Sequence, residues 1–442
     1  MQLATATNST HRRASAGCES RHDVTAVFDD PNLVSCAGLA PVLKLAERAG
    51  LQELVTEHVR IDKPGAGNAV LKVLALVAGL IAGADSIEDM GLLRHGAMRR
   101  LFTGIRAPST LGTFLRTFTF GHVRQLDAVA SRLLINLCRR APLLAGADTL
   151  AYVDVDDTVK PTFGYAKHGA GRGYTGVKGL NVLLATLSTP GSRPVIAAAR
   201  LRKGSTNSAK GAHRLVADAL VTAKACGATG TLVLRADSAF YQSDVIAGVL
   251  RAKACFSITA RQLPPVRKAI AGIADTWTAI KYTHAVWDEQ AQGWISDAEV
   301  AEITFTAFGS KAKAKQVTAR LIVRRDPDAN PNNQSPLFTV YRYHAVFTNS
   351  PLPMLEAEKA HRAHAIVEQV IADLKNGPLA HLPCPQDGSG PTAPGWSAPR
   401  WRSTSPAPPA PWPRPSMPKR PPARSARNSS PSRRGWPARP DA

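Results

Sequence analysis

Three stretches of the chain put carboxylates where carboxylates are costly. In AYVDVDDTV, Ala151–Val159, the acids Asp154, Asp156 and Asp157 sit among Val153, Val155 and Val159 in what reads as a core strand. Acidic residues form strands poorly and are expensive to bury. Side chains alternate along a strand, so Tyr152, Asp154 and Asp156 share one face while Val153, Val155 and Asp157 share the other. In TLVLRADSAFY, Asp237 stands just after the short apolar run Leu232, Val233, Leu234. In HRAHAIVEQVIADLK, drawn as a helix, His361, His364, Glu368, Ala372 and Lys375 step by three and four along one stripe. Val367, Val370, Ile371 and Leu374 make the neighbouring apolar stripe, so the helix docks that side and presents a glutamate flanked by cations. Carboxylates from two strand ends and a helix are the donor set of a two-metal site. Mg2+ prefers carboxylate oxygens plus water. Two such ions about 4 Å apart activate a water or a 3′-hydroxyl and stabilise the leaving oxygen of a phosphodiester.

Each acid alone has a plainer explanation. Asp237 fits a helix N-cap. The three aspartates fit a solvated strand end or ion pairs with arginine, and the helix fits an ordinary amphipathic one. The metal reading rests on the three together, and Asp154 competes with Asp156 for the first position.

The elements that must position these acids follow from periodicity. Residues 1–30 read as a flexible arm. Residues 31–145 are helical, with GLAPVLKLAERAGLQELV, AVLKVLALVAGLIAGADSIEDMGLL, PSTLGTFLRTFT and VRQLDAVASRLLINLCRR as helices. This segment is expected to be a DNA-binding domain, although no helix-turn-helix signature separates it from a plain bundle with solvated arginines. Residues 146–261 give three strands and then helix–strand–helix–strand, a mixed α/β sheet. Residues 262–350 read as an inserted β-rich module, and 351–383 return to helix. From 384 the chain is Pro/Arg-rich without apolar periodicity and is expected to be disordered.

The net charge of +22 points to a polyanionic partner, with nucleic acid the default. Residues 384–442 carry +8 of it, which leaves +14 on the rest. The six cysteines form no zinc knuckle or C-x-x-C pair, and scattered thiols fit a reducing cytoplasm. The N-terminus lacks the apolar core of a signal peptide. Ala69–Ala84 is short for a membrane span and carries Lys72, so a buried helix is expected. The glycine-rich stretch FGYAKHGAGRGYTGVKG is no Walker A loop, because Val177 follows Gly176 where lysine is needed.

At these residues the chain resembles the DDE transposases of bacterial insertion sequences, and looks closest to the insertion-sequence family numbered thirteen-eighty. The likeness runs from about Val27 to Leu382, and FDDPNLVSCAGLAPVLKLAERAGL looks like that family's start. The family's D-x-T strand motif falls on Asp156, Asp157 and Thr158, which favours Asp156 as first ligand. Its second acid falls on Asp237. Its Y-R-E-K signature falls on His361, His364, Glu368 and Lys375, with histidines where the tyrosine and arginine would stand. The resemblance implies an RNase H-like core, catalysis and metal binding by Asp156, Asp237 and Glu368, and two Mg2+ ions, with Mn2+ as a substitute. It implies DNA contacts from Lys375, His364 and His361, and from Lys167, Arg172 and Lys178 of the glycine-rich stretch. The partners implied are the element's terminal inverted repeats and target DNA, bound by a cytoplasmic, nucleoid-associated homodimer on paired ends. In related transposases an insertion-domain tryptophan stacks on a flipped base; Trp277, Trp287 and Trp294 lie in the module here, and a core role is the better expectation for each. The tail departs from the family after HLP and looks like GC-rich coding DNA read in a shifted frame. The competing readings are a catalytically dead, DNA-binding remnant and a metal-dependent nuclease without strand transfer.

Overall fold

The computed structural model describes residues 32–162, 169–274, 276–280, 298–327 and 341–376, and the backbone alone of 287–288 and 293–294. All fall in the first of two units, residues 1–406; the second, 407–442, lies outside the described residues, as does the whole tail from 384. Six helices come first: α1 Leu39–Arg48, α2 Leu51–His58, α3 Ala69–Ala82, α4 Met98–Leu101, α5 Pro108–Arg116 and α6 Phe120–Arg140. The sheet region then runs β1 Leu150–Pro161, β2 Gly171–Arg172, β3 Lys178–Ser188, β4 Val195–Lys203, α7 Ala212–Ala225, β5 Thr231–Ala236, α8 Ser243–Arg251, β6 Cys255–Thr259 and α9 Pro264–Ala271. After these come β7 Thr278–Ile280, β8 Trp287–Asp288, β9 Gly293–Trp294, β10 Ala298–Ala307, β11 Val317–Pro327 and β12 Tyr341–Thr348. Two helices close the described chain, α10 Met354–Arg362 and α11 Ile366–Asn376.

β1 lies at the centre of the core sheet. It pairs antiparallel with β3, which in turn pairs antiparallel with β4, and it pairs parallel with β5, which pairs parallel with β6. This is the mixed α/β, RNase H-like arrangement expected from the sequence. Alternation along β1 sends Val153 and Val155 into a core shared with α7 and α8. The opposite face of the sheet, with Val182, Leu184, Ile196 and Ala199, packs against α2, α3, α5, α6 and the apolar stripe of α11. The N-terminal helices therefore share one core with the sheet. α3 is a buried helix, as its composition implied: Lys72 donates from Nζ to the Gly65 carbonyl at 2.6 Å and lies 5.3 Å from the Phe114 ring centre. Among the described residues no helix is long and apolar enough to cross a membrane.

Two expectations change. The β-rich stretch continues the main sheet: β12 pairs with β6, and the order proceeds through β11 and β10 to β7. The reason is physical, since β6 would otherwise leave a row of unpaired backbone groups at the edge. The long C-terminal helix is also not continuous. A 3-10 turn at Ala363–Ala365 separates α10 from α11, so the His361–Lys375 stripe is broken between His364 and Glu368.

The glycine-rich stretch is explained by close backbone approach. A Cβ at Gly179 would strike the Lys160 carbonyl, and one at Gly204 would strike the backbone of Gly179 and Gly171. One at Gly173 would stand 2.8 Å from the Gly204 carbonyl oxygen. Strands β1 and β3 and the β2 hairpin can meet here only without side chains.

Candidate active site

Parallel pairing sets Val155 opposite Ala236, so Asp156 and Asp237 stand level, one step further along adjacent strands. Asp156 lies just past the stretch of β1 that pairs with β5, and Asp237 just past the carboxyl end of β5, the end of an α/β sheet at which ligands bind. Asp156 is half-buried, and its Oδ1 accepts from the Asp157 amide at 2.7 Å. Burial pushes its carboxyl up to about 7; the charges of Asp237, Asp157 and Glu368 add to the rise, and the Asp157 amide opposes it. Asp237 is half-buried and caps the 3-10 turn Ser238–Phe240, its Oδ1 accepting from the Ala239 amide at 2.9 Å. The N-cap role is therefore real. The Asp237 carboxyl is nonetheless raised, first by burial and then by Asp157, while Arg261 opposes the rise. Glu368 is exposed in the first turn of α11, where the helix dipole favours an anion. Val367, Val370, Ile371 and Leu374 are buried beneath it, as the stripe implied.

Three carboxylates are hard oxygen donors, and their mutual repulsion is what a dication would relieve. Among the described residues, however, no group of three His, Cys, Asp or Glu side chains is drawn together closely enough to hold a metal. The donor chemistry fits Mg2+, and the convergence is incomplete.

Asp154 is differently employed. It is fully buried and takes a two-pronged ion pair from Arg235, Nε to Oδ1 at 2.6 Å and Nη2 to Oδ2 at 2.7 Å. Burial raises its carboxyl and the guanidinium opposes the rise. Arg235 lies 3.9 Å from the Tyr152 ring centre and donates its remaining amino group to the Ala360 carbonyl at 2.6 Å. One guanidinium thus ties β1, β5 and the end of α10 together.

The other expected contacts divide. His361 is buried, its Nδ1 3.0 Å from Ser257 Oγ and its Nε2 3.0 Å from Thr259 Oγ1. It pins α10 to β6. Burial, then the charge of neighbouring groups, lowers it to about 3. His364 is largely buried, with Nδ1 3.9 Å from Asp154 Oδ1, and burial followed by the charge of Arg235 lowers it to about 4. Lys375 is exposed in the last turn of α11. Arg172 is exposed and donates to the Gly176 carbonyl at 2.7 Å, and Lys178 is half-buried at the start of β3. Lys167 and the side chains of Trp287 and Trp294 lie outside the described residues. Trp277 stacks on the Arg325 guanidinium at 4.1 Å and packs on the core, the role expected of it.

Three participants were not foreseen. Asp157, on the other face of β1, accepts from Asn181 and, at 3.3 Å, from Arg202. Arg202 also donates to the carbonyls of Ser208 at 2.9 Å and Lys210 at 2.7 Å. Tyr174 has a ring 79% exposed. Its phenol is raised first by desolvation, small for so open a ring, and then by Asp157, Asp156 and Asp237, which places it within their field. Arg261 donates to the Ser238 carbonyl beside Asp237 at 2.8 Å. The Arg in RADSAFY was visible as a residue, but nothing in the sequence tied Arg235 to Asp154.

An RNase H-like mixed sheet with acids level on two adjacent parallel strands, just past the end of their pairing, is the arrangement of a DDE transposase domain. The family model described as Transposase DDE domain group 1 matches residues 17–380, and the chain belongs to that family. No curated protein matches the chain.

Proposed function

We propose that the chain is the transposase of a bacterial insertion sequence of the family numbered thirteen-eighty, acting as a homodimer on the paired terminal inverted repeats. The observation that carries this reading is the crowding of Asp156: its carboxyl stands near 7 because burial and three other carboxylates oppose its ionisation. Arg202 meets Asp157 and Arg261 stands by Asp237, yet among the described residues no cation is among the groups that hold Asp156 in its ionised form. Asp156, Asp237 and Glu368 would hold Mg2+, which when bound supplies charge to stabilise the phosphodiester's transition state. Asp154 stays out of that set because both its oxygens are engaged by Arg235. Water attacks the phosphodiester at the element end, and the freed 3′-hydroxyl then attacks target DNA. Lys375 steadies a backbone phosphate near Glu368, and Arg172 and Lys178 line the path from the glycine-rich hairpin.

A second reading is favoured by the incomplete convergence of the acids: a catalytically silent remnant that still occupies the element's ends. One experiment separates them. DNA carrying the flanking inverted repeats is incubated with Mg2+ and the parent chain, Asp156→Ala, Asp237→Ala or Glu368→Ala. Cleavage by the parent, lost in all three variants, supports the transposase; tight binding without cleavage by the parent supports the remnant. Joined products distinguish strand transfer from simple nuclease action.

A further inference from the structure

Arg261 and a three-lysine loop, far apart in the sequence, both attach to the segment that links β5 to α8. Arg261, just past β6, is exposed and turns back onto the 3-10 turn that follows Asp237. Its Nε donates to the Ser238 carbonyl at 2.8 Å and its Nη2 to the Ala239 carbonyl at 3.2 Å. The connection from β10 to β11 reads GSKAKAKQ, Gly309–Gln316, with exposed lysines at 311, 313 and 315.

An alternating run of lysines in a loop is ordinarily a solvated turn. This loop is instead fixed in shape and in place. Phe308 holds a left-handed backbone, φ 60°, and packs its ring on Tyr241 with centroids 5.0 Å apart. Lys311 Nζ donates to Ser243 Oγ at 2.7 Å. The Gln316 amide donates to the carbonyls of Gly309 at 3.1 Å and Lys311 at 2.8 Å, closing the loop on itself. Tyr241 and Ser243 lie on the segment that carries the chain from Asp237 into α8, so the loop is moored to that segment. Opposing the lysines, the described ion pairs offer Asp244 alone, 3.6 Å from Lys315 and 64% exposed. Among the described ion pairs, the three lysines of the loop thus meet one carboxylate.

We propose that this corner, Arg261 with Lys311, Lys313 and Lys315, grips the sugar–phosphate backbone of duplex DNA as it runs away from the acids. The inference rests on the transposase reading for its DNA substrate and adds the surface that holds it. Lysine ammonium groups are mobile point charges without the planar fork that reads base edges, so the grip is indifferent to sequence. Its work is to hold the duplex in line while the acids act on one phosphate.

The test is binding of the full chain to a linear duplex without element sequence, in EDTA, across a series of salt concentrations. Each phosphate that is no longer neutralised makes the slope of log affinity against log salt shallower by about 0.9. The Lys311→Gln, Lys313→Gln, Lys315→Gln triple variant is expected to lose about 2–3 from that slope. Overlapping lines for parent and triple variant overturn the proposal and leave the transposase reading standing. A parent that shows no salt-dependent DNA binding removes both. Lys313→Glu repeats the test without touching the hydrogen bonds that moor the loop; an unchanged slope in that variant also overturns the proposal.

Discussion

Asp154 and Asp156 sit two residues apart on one face of one strand, and the structure makes their asparagine variants behave oppositely. In the folded chain the Asp156 carboxyl has been carried from 3.8 to about 7. Between those values the folded chain keeps a proton that the unfolded chain has released, so stability falls as pH rises through that window. At about 1.36 kcal/mol for each tenfold change in proton affinity, the full penalty above pH 7 is about 4 kcal/mol. Solvent reaching a half-buried group reduces this to about 2 kcal/mol. Asp156→Asn removes the penalty. In EDTA at pH 8 the variant should resist urea by about 2 kcal/mol more than the parent, and near pH 4 the two should agree. Asp154→Asn leaves the buried Arg235 charge without its partner and should cost about 3–5 kcal/mol at pH 8, and less near pH 4, where the raised Asp154 carboxyl takes up a proton. Urea titrations followed by circular dichroism measure all of this. If Asp156→Asn gains nothing at pH 8, the crowding argument is wrong. If Asp154→Asn is the mild variant and also abolishes cleavage, the two acids exchange roles.

Further outcomes follow from the same geometry. Mg2+ should raise the melting temperature of the parent at pH 8, by linkage worth about 2.7 kcal/mol at a hundredfold excess over Kd, and should do so far less at pH 5 or in Asp156→Asn; an equal rise in the variant places the ion elsewhere. Gly204→Ala should cost upwards of about 2 kcal/mol, because the new methyl meets the backbone of Gly179 and Gly171. Gly67→Ala, with nothing within 4 Å of the added atom, should be near neutral in the same denaturation assay. His361 and His364 stay neutral in the folded chain down to about 3 and about 4, whereas the unfolded chain takes up protons below 6.5. Stability should therefore fall as pH drops from 6.5 towards 4, and His361→Gln should flatten that acid limb in thermal melts; an unaltered limb would mean that His361 is not held neutral.

The acids were legible because strand periodicity, strand ends and one helical stripe each left a mark within a dozen residues. The mixed sheet was legible for the same reason, as was the buried α3. Long-range pairings left no such mark. Arg235 meets Asp154, and Asn181 and Arg202 meet Asp157, only after β3, β4 and β5 have assembled around β1. The break at Ala363–Ala365 was hidden because a 3-10 turn preserves helical composition while shifting the stripe by part of a turn. The continuation of the sheet past β6 was hidden because strands of an inserted module and strands of a shared sheet read alike. The burial of His361 was hidden because a histidine on a helical stripe gives no sign of two hydroxyls waiting on another strand.

The continuous sheet has a consequence for the order in which the protein becomes itself. Asp156 and Asp237 are brought level when β5 pairs with β1, after β3, β4 and α7 have intervened in the chain. Glu368 returns to β1 only after β12, β11 and β10 have been added to β6, because α10 and α11 follow them in the chain and Arg235 anchors the end of α10. Contacts between segments so distant in sequence form slowly. On the ribosome the glutamate helix also leaves last of the described elements. The acid set is therefore complete only once β10, β11 and β12 have extended the sheet, and the same step places the lysine loop between β10 and β11.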